Sequence, residues 1–289
     1  MSTVTLLKQH LFIAFQYLVP QHLLSRIVGK IAASEIYWVK NLFITSFIKK
    51  FNINMQEAKL KNADDFVSFN DFFTRELEDG ARPINHNANT IVSPADGAIS
   101  QIGDIKDGRV FQAKGQDYSL LELLGGDKTL NNEFIDGKFT TIYLSPKDYH
   151  RVHMPISGKL RKMIYVPGDL FSVNQTTAEN VPRLFSRNER LVAIFDTEHG
   201  PMAMVLVGAM IVAAIETVWA GRITPPKRER KVTEYTNPQP IELQQGAEMG
   251  RFLLGSTVVL CFAKNQINWI NELSAESPLK VGETIANSN

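Results

Sequence analysis

Gly250-Arg251-Phe252-Leu253-Leu254-Gly255-Ser256-Thr257-Val258-Val259-Leu260-Cys261-Phe262 carries β-branched and aromatic residues on both sides of a Gly-Ser centre. That composition predicts a buried β-strand. Gly255 sits where a strand gains nothing from a residue without a side chain, so it marks a bulge or a place where another group comes close to the backbone. Two readings stand side by side. In one, Gly255-Ser256 is an ordinary bulge. In the other, it is a peptide bond made to break: the Ser256 hydroxyl attacks the Gly255 carbonyl, which a glycine hinders least. Elimination from the resulting ester leaves a dehydroalanine, which hydrolyses to a pyruvoyl group and ammonia. The chain then becomes two pieces, 1–255 and 256–289.

Such chemistry needs a base and an orienting acid. Ser145-Pro146-Lys147-Asp148-Tyr149-His150-Arg151-Val152-His153-Met154-Pro155 offers two of the six histidines. Ser145 is a good N-cap, Pro146 suits a first helical position and Asp148 completes a capping-box pattern, so a short helix is expected. On it His150 and His153 share a face. Histidine titrates nearest neutral pH and suits general acid–base work. No third and fourth ligand at zinc spacing accompanies the pair, and no metal is expected. Ser93-Pro94-Ala95-Asp96-Gly97 reads as a turn, in which Asp96 is either turn chemistry or the acid that holds a histidine in its tautomer.

Outward from these motifs the chain divides in two. From Val4 to Phe51, apolar residues recur at helical spacing in three stripes, the third being Val39, Leu42, Phe43, Phe47 and Phe51. The net charge of the whole chain is +1, yet residues 1–50 hold Lys8, Arg26, Lys30, Lys40, Lys49 and Lys50 against Glu35 alone. Amphipathic helices with that excess, and with Phe12, Phe15, Tyr37 and Trp38, read either as a helical subdomain or as helices lying on an anionic membrane surface. No segment reaches the roughly 20 apolar residues of a spanning helix. The opening Met1-Ser2-Thr3-Val4-Thr5 lacks the basic region of a secretory signal, so the cytoplasmic face of the cell membrane, as a peripheral protein, is the expected location. Phe66 to Pro83 reads as a short helix ending at glycine and proline. Beyond Ile91 short apolar runs recur between Gly, Asp, Asn and Pro, the longest from Met202 to Ile215 being a further buried strand. The expected fold is α+β: N-terminal amphipathic helices (1–60), then a β-rich sandwich- or barrel-like catalytic domain (61–289). Cys261, the single cysteine, is a core residue. The charged stretch from Pro225 to Lys231 is a solvated loop rather than a nucleic-acid patch, since no aromatic residue interleaves its charges.

Taken together, Phe72-Phe73-Thr74-Arg75, Ser93-Pro94-Ala95-Asp96-Gly97, Tyr143 to Pro155, Pro167-Gly168-Asp169-Leu170-Phe171-Ser172-Val173-Asn174 and Leu254-Gly255-Ser256-Thr257 resemble, in this order, the bacterial-type phosphatidylserine decarboxylases. The resemblance implies a self-processing, pyruvoyl-dependent lyase acting on phosphatidylserine at a membrane. It implies that Asp96, His153 and Ser256 form the cleaving triad and that His150 serves decarboxylation through a Schiff base with the pyruvoyl group. The α and β chains would come from one precursor, and a homo-oligomer is left open. Two rivals are a Ser-His-Asp hydrolase that stays in one piece, although it lacks the G-x-S-x-G setting, and a non-enzymatic membrane-binding module.

Overall fold

The computed structural model describes residues 3–87, 89–210, 214–223, 229–236, 240–254 and 256–289, with the backbone alone for 3–6 and 256. The apolar run after the Gly-Ser pair forms the strand Ser256–Phe262, inside a sheet of nine described strands. It pairs antiparallel with Lys138–Leu144 on one side and Gly200–Val207 on the other. Its period of two sends Val258, Leu260 and Phe262 into one core and Val259 and Cys261 into another. A strand covered on both faces has no polar side, which is why this run shows no alternation. The sheet runs in the order Lys231–Glu234, Gly158–Val166, Arg190–Thr197, Gly200–Val207, Ser256–Phe262, Lys138–Leu144, Gly97–Asp104, Pro278–Leu279, with Glu242–Leu243 also on Gly158–Val166. Among the described strands its path is open and closes no barrel.

One face is covered by a second β layer. Gly221–Arg222, Ile215–Thr217, Glu248–Phe252 and Arg151–His153 form a four-stranded sheet, and Thr90–Val92, Thr284–Ser288 and Ile267–Trp269 a three-stranded one. Val152, Ile215, Met249 and Phe252 from this layer share a core with Ile142, Leu144, Leu160 and Val258. Short helices and a hairpin cover the opposite face through Leu120, Phe134, Phe185 and Tyr118. The α+β class and the sandwich of two β layers match the expectation.

Several expectations on single segments are corrected. Gly250–Phe262 is not one strand. The chain leaves the small sheet at Phe252 and enters the large one at Ser256, so it crosses between layers at the Gly-Ser pair. Gly255 itself lies outside the described residues. The run Met202–Ile215 likewise splits into Gly200–Val207 and Ile215–Thr217, in different sheets; its residues 211–213 lie outside the described residues, as do 225–228 of the charged stretch. Both crossings stay hydrophobic because the two layers share one core, so apolar continuity cannot reveal them.

The N-terminal layer contains α1 (Thr3–Leu18), α2 (Gln21–Ala32), α3 (Tyr37–Phe51) and α4 (Phe69–Phe73). Pro20 cannot continue α1, and the two helices on either side of it meet at 88°. Among the described residues no single helix is long and apolar enough to cross a membrane. The third stripe divides: Phe47 and Phe51 pack against an inner cluster around Ile44, which the stripe did not include, while Leu42 and Phe43 are exposed. Leu11, Phe15, Leu18, Ile27 and Trp38 are exposed as well. Lys40 is a further correction, since it does not lie free beside the stripes. It is buried, and its Nζ donates to the Asn41 side chain (2.8 Å) and to the carbonyls of Ala63 (3.2 Å) and Asp64 (3.3 Å). α4 ends at Thr74 rather than at the expected Gly-Pro, because the following backbone is drawn into bonds with the segment around Ala58: Lys59 N–H to Glu76 O, Glu78 N–H to Glu57 O.

Candidate active site

The segment from Ser145 to Pro155 does not form the expected helix. The local signature is present, with the Asp148 carboxylate accepting from the Ser145 N–H and hydroxyl, both at 2.7 Å. It closes only a turn, because Arg151–His153 is taken as a strand beside Glu248–Phe252. Tertiary pairing overrides the cap. His150 and His153 are therefore not neighbours on one helix face, and their surroundings differ.

His150 is fully buried and stacked on Phe73, ring centroids 4.0 Å apart. Its Nε2 lies 3.1 Å from the Ser145 carbonyl, which can only accept, so Nε2 carries the proton. Nδ1 then presents a lone pair, buried and without a hydrogen-bond partner among the described residues. Burial, reinforced by the charge of Arg75, pulls its pKa down to about 3. His150 is neutral at pH 7. Arg75 is itself buried, its Nη2 donating to the Lys147 carbonyl at 3.3 Å.

His153 keeps a partly open edge. Its Nδ1 donates to the Gly246 carbonyl at 2.8 Å, leaving the Nε2 lone pair to accept from the Tyr149 hydroxyl at 3.2 Å. Burial lowers its pKa, with the Gly246 carbonyl and Glu248 opposing. Burial also pushes the Tyr149 phenol up to about 12, so it stays a donor. The result is a neutral base with an oriented Nε2.

Asp96 lies beside this base without bonding it. The Pro94 carbonyl accepts from the His153 N–H at 2.8 Å, which joins the Ser93–Gly97 turn to the strand. The Asp96 carboxylate is held by Arg82, Nε to Oδ1 at 2.9 Å and Nη2 to Oδ2 at 2.6 Å, and by the Val281 N–H at 2.9 Å. The partner that fixes the His153 tautomer is thus the Gly246 carbonyl rather than the carboxylate.

Ser256 heads its strand opposite Leu144, one residue before the Ser145 turn. The pairing with Gly200–Val207 begins only at Thr257. On the other side of the junction, Phe252 N–H bonds the His150 carbonyl and Leu253 N–H the Ala214 carbonyl at 2.9 Å. Between these anchors Leu254 has φ +143°, a region that L side chains rarely adopt. Strain of that kind costs about 1–3 kcal/mol. The Leu254 side chain is buried in the inner cluster of the helical layer. Full burial of a leucine stabilises by about 1.5–3 kcal/mol, a term of the same size.

The structure brings His150, the His153 strand and the head of the Ser256 strand to one end of the two β layers. Arg82, Tyr149 and Phe73 join them, none of which the motifs had marked as site residues. Tyr149 lay inside the quoted motif and could have been read as a partner four residues from His153; the grip of Arg82 on Asp96 has no local signal.

Comparison with known proteins adds the family. The family model described as phosphatidylserine decarboxylase matches residues 69–287, and a further model, PSD, matches 11–52. A phosphatidylserine decarboxylase proenzyme of Pseudomonas fluorescens strain Pf-5 is 60% identical over 279 residues, covering 96% of this chain and 97% of the relative. Its counterpart in strain Pf0-1 is 58% identical over 285 residues, 98% of this chain and all of the relative. That of Stutzerimonas stutzeri strain A1501 is 56% identical over 281 residues, 96% and 95%. The chain belongs to the phosphatidylserine decarboxylase family.

Proposed function

We infer that this chain converts phosphatidylserine to phosphatidylethanolamine, as its family does, after cleaving itself between Gly255 and Ser256. The observation that carries this reading is the strained crossing at Leu254, one residue before the proposed bond, inside a family match that spans both sides of it. The rival hydrolase and the non-enzymatic module are not favoured by that match.

In the precursor, His153 takes the Ser256 hydroxyl proton on Nε2 while the Gly246 carbonyl holds its Nδ1–H. Tyr149 must yield its bond to that nitrogen first. Asp96 acts through its charge, which favours the protonated form of His153, and Arg82 keeps that charge in place. A pyruvoyl group at Ser256 would supply the electron sink for the charge left when carbon dioxide departs. His150 manages the proton that the α-carbon then needs. It is held neutral until an anionic headgroup beside it raises its proton affinity. Residues 1–60 serve as a membrane-associating region on the cytoplasmic face of the cell membrane, and 61–289 as the catalytic domain. The exposed apolar residues of α1–α3 support this division of labour.

Denaturing mass spectrometry tests the reading. The purified protein is expected as 1–255 and 256–289, the smaller piece blocked by a pyruvoyl group, and Ser256→Ala as one intact chain. An intact parent chain, or a small fragment from Ser256→Ala, would overturn it.

A further inference from the structure

Leu254 stands apart in the cluster that buries it. The other buried members, among them Ala32, Ile44, Ile53, Phe69, Phe72 and Phe73, all lie between residues 32 and 73. Leu254 alone comes from the far end of the chain, and it immediately precedes the Gly-Ser pair. Described backbone bonds fix the junction on either side, at Phe252 and Leu253 and again where Ser256 pairs with Leu144. At Leu254 the described anchor is the side chain, on a backbone at φ +143°.

We propose that Leu254 is a positioning residue for self-cleavage: the apolar cluster built by α3 and α4 grips its side chain and so holds the backbone entering Gly255 in the reactive conformation. This rests on the reading of Gly255–Ser256 as the bond that is cut, and it goes beyond it by making the helical layer part of the processing machinery. α3 has two working faces. Ile44 and Phe47 belong to the cluster that holds Leu254, while Trp38 and Leu42 are exposed and Phe43, half-exposed, reaches the cluster only through the edge of Phe69. α4 has a second contact, since Phe73 of the same cluster stacks on His150. Without the grip the backbone at Leu254 relaxes to an ordinary conformation, and the attack geometry is lost while both β layers remain.

The test follows cleavage in time. Full-length chain is pulse-labelled at synthesis, and the decay of precursor into fragments is read on denaturing gels. Leu254→Ala is expected to cleave at least about tenfold more slowly, equivalent to about 1.4 kcal/mol on the barrier. Leu254→Met, which conserves volume, restores a rate near that of the parent chain. Leu254→Gly separates grip from strain, because glycine adopts positive φ freely yet has nothing to be held by; it is expected to stay slow. Melting curves of Leu254→Ala in a Ser256→Ala background report whether the precursor is folded. Should it not be, Phe69→Leu, which alters the cluster while leaving Phe73, the ring stacked on His150, in place, takes its place with the same expectation of slowing. Parent-like rates in Leu254→Ala and Leu254→Gly, or in Phe69→Leu where that decides, overturn the proposal. A parent chain that never cleaves overturns the underlying reading instead, and the proposal falls with it.

Discussion

Two histidines three residues apart occupy environments that divide their work. His153 offers an oriented lone pair at a partly open edge, whereas His150 is sealed beneath Phe73. His153→Gln is therefore expected to accumulate uncleaved precursor. His150→Gln should yield both fragments but lose about 10²- to 10⁴-fold in carbon dioxide release from labelled phosphatidylserine, the usual contribution of a general acid–base group. Equal loss of cleavage in both variants would refute the division. Their protonation also has a sign in stability. Both folded-state pKa values lie below the ordinary 6.5, that of His150 at about 3. Above pH 6.5 neither the folded nor the unfolded chain is charged at these rings, and the stability is fully present. As pH falls below 6.5 the unfolded chain takes up protons that the folded one refuses, so stability falls, by up to about 1.4 kcal/mol per pH unit for each ring. Urea midpoints between pH 7.5 and 5 measure this, and His150→Gln should flatten the slope. A parent-like slope in that variant would remove His150 from the effect.

At the scale of elements, the turn carrying Asp96 is fastened to the rest by Arg82, whose side chain and the carboxylate are both nearly buried. Removing one partner of such a pair leaves a buried charge uncompensated, at a cost of about 3–5 kcal/mol. Arg82→Met should lower the melting temperature markedly, and the double variant Arg82→Met/Asp96→Asn should recover part of the loss. No recovery would mean that Arg82 acts by packing or through its second partner, Glu57. This pair also shows what the sequence could and could not reveal. The apolar cores of Gly200–Val207 and Ser256–Phe262 were legible because burial writes itself into composition residue by residue. The 145–155 segment signals a helix because its capping signature is local and real, while the pairing with Glu248–Phe252 that overrides it joins residues about a hundred positions apart. The crossing at Leu254 was hidden for a different reason. Its unusual φ falls on a leucine, and a leucine gives no hint of positive φ. The site residues Asp96, His150, His153 and Ser256 could be named from motifs, and Tyr149 and Phe73 lie inside them, but the grip of Arg82 on Asp96 and of the Gly246 carbonyl on His153 joins distant segments and has no local signal.

Across the whole molecule, apolar surface is unevenly shared: both faces of the large sheet are covered, whereas α1, α2 and α3 leave leucines, phenylalanines and Trp38 open to solvent. Lys8, Arg26, Lys30, Lys49 and Lys50 lie exposed in the same layer, Lys40 having been spent on internal hydrogen bonds. Near an anionic bilayer each such cation contributes about 1 kcal/mol, and apolar insertion adds to it. Trp38 is the natural reporter for the proposed attachment, being 69% exposed. The other two tryptophans are half-buried against the core, Trp219 on Phe195 and Trp269 on Phe262. Adding phosphatidylglycerol vesicles should shift the tryptophan emission to the blue, and Trp38→Phe should abolish most of that shift. Phosphatidylcholine vesicles should give a smaller one. Salt at 1 M, where the screening length is about 3 Å, should weaken the electrostatic part and leave the apolar part. An emission spectrum indifferent to anionic vesicles would move the membrane contact away from α3, and with it the outer of the two faces that this helix is proposed to use.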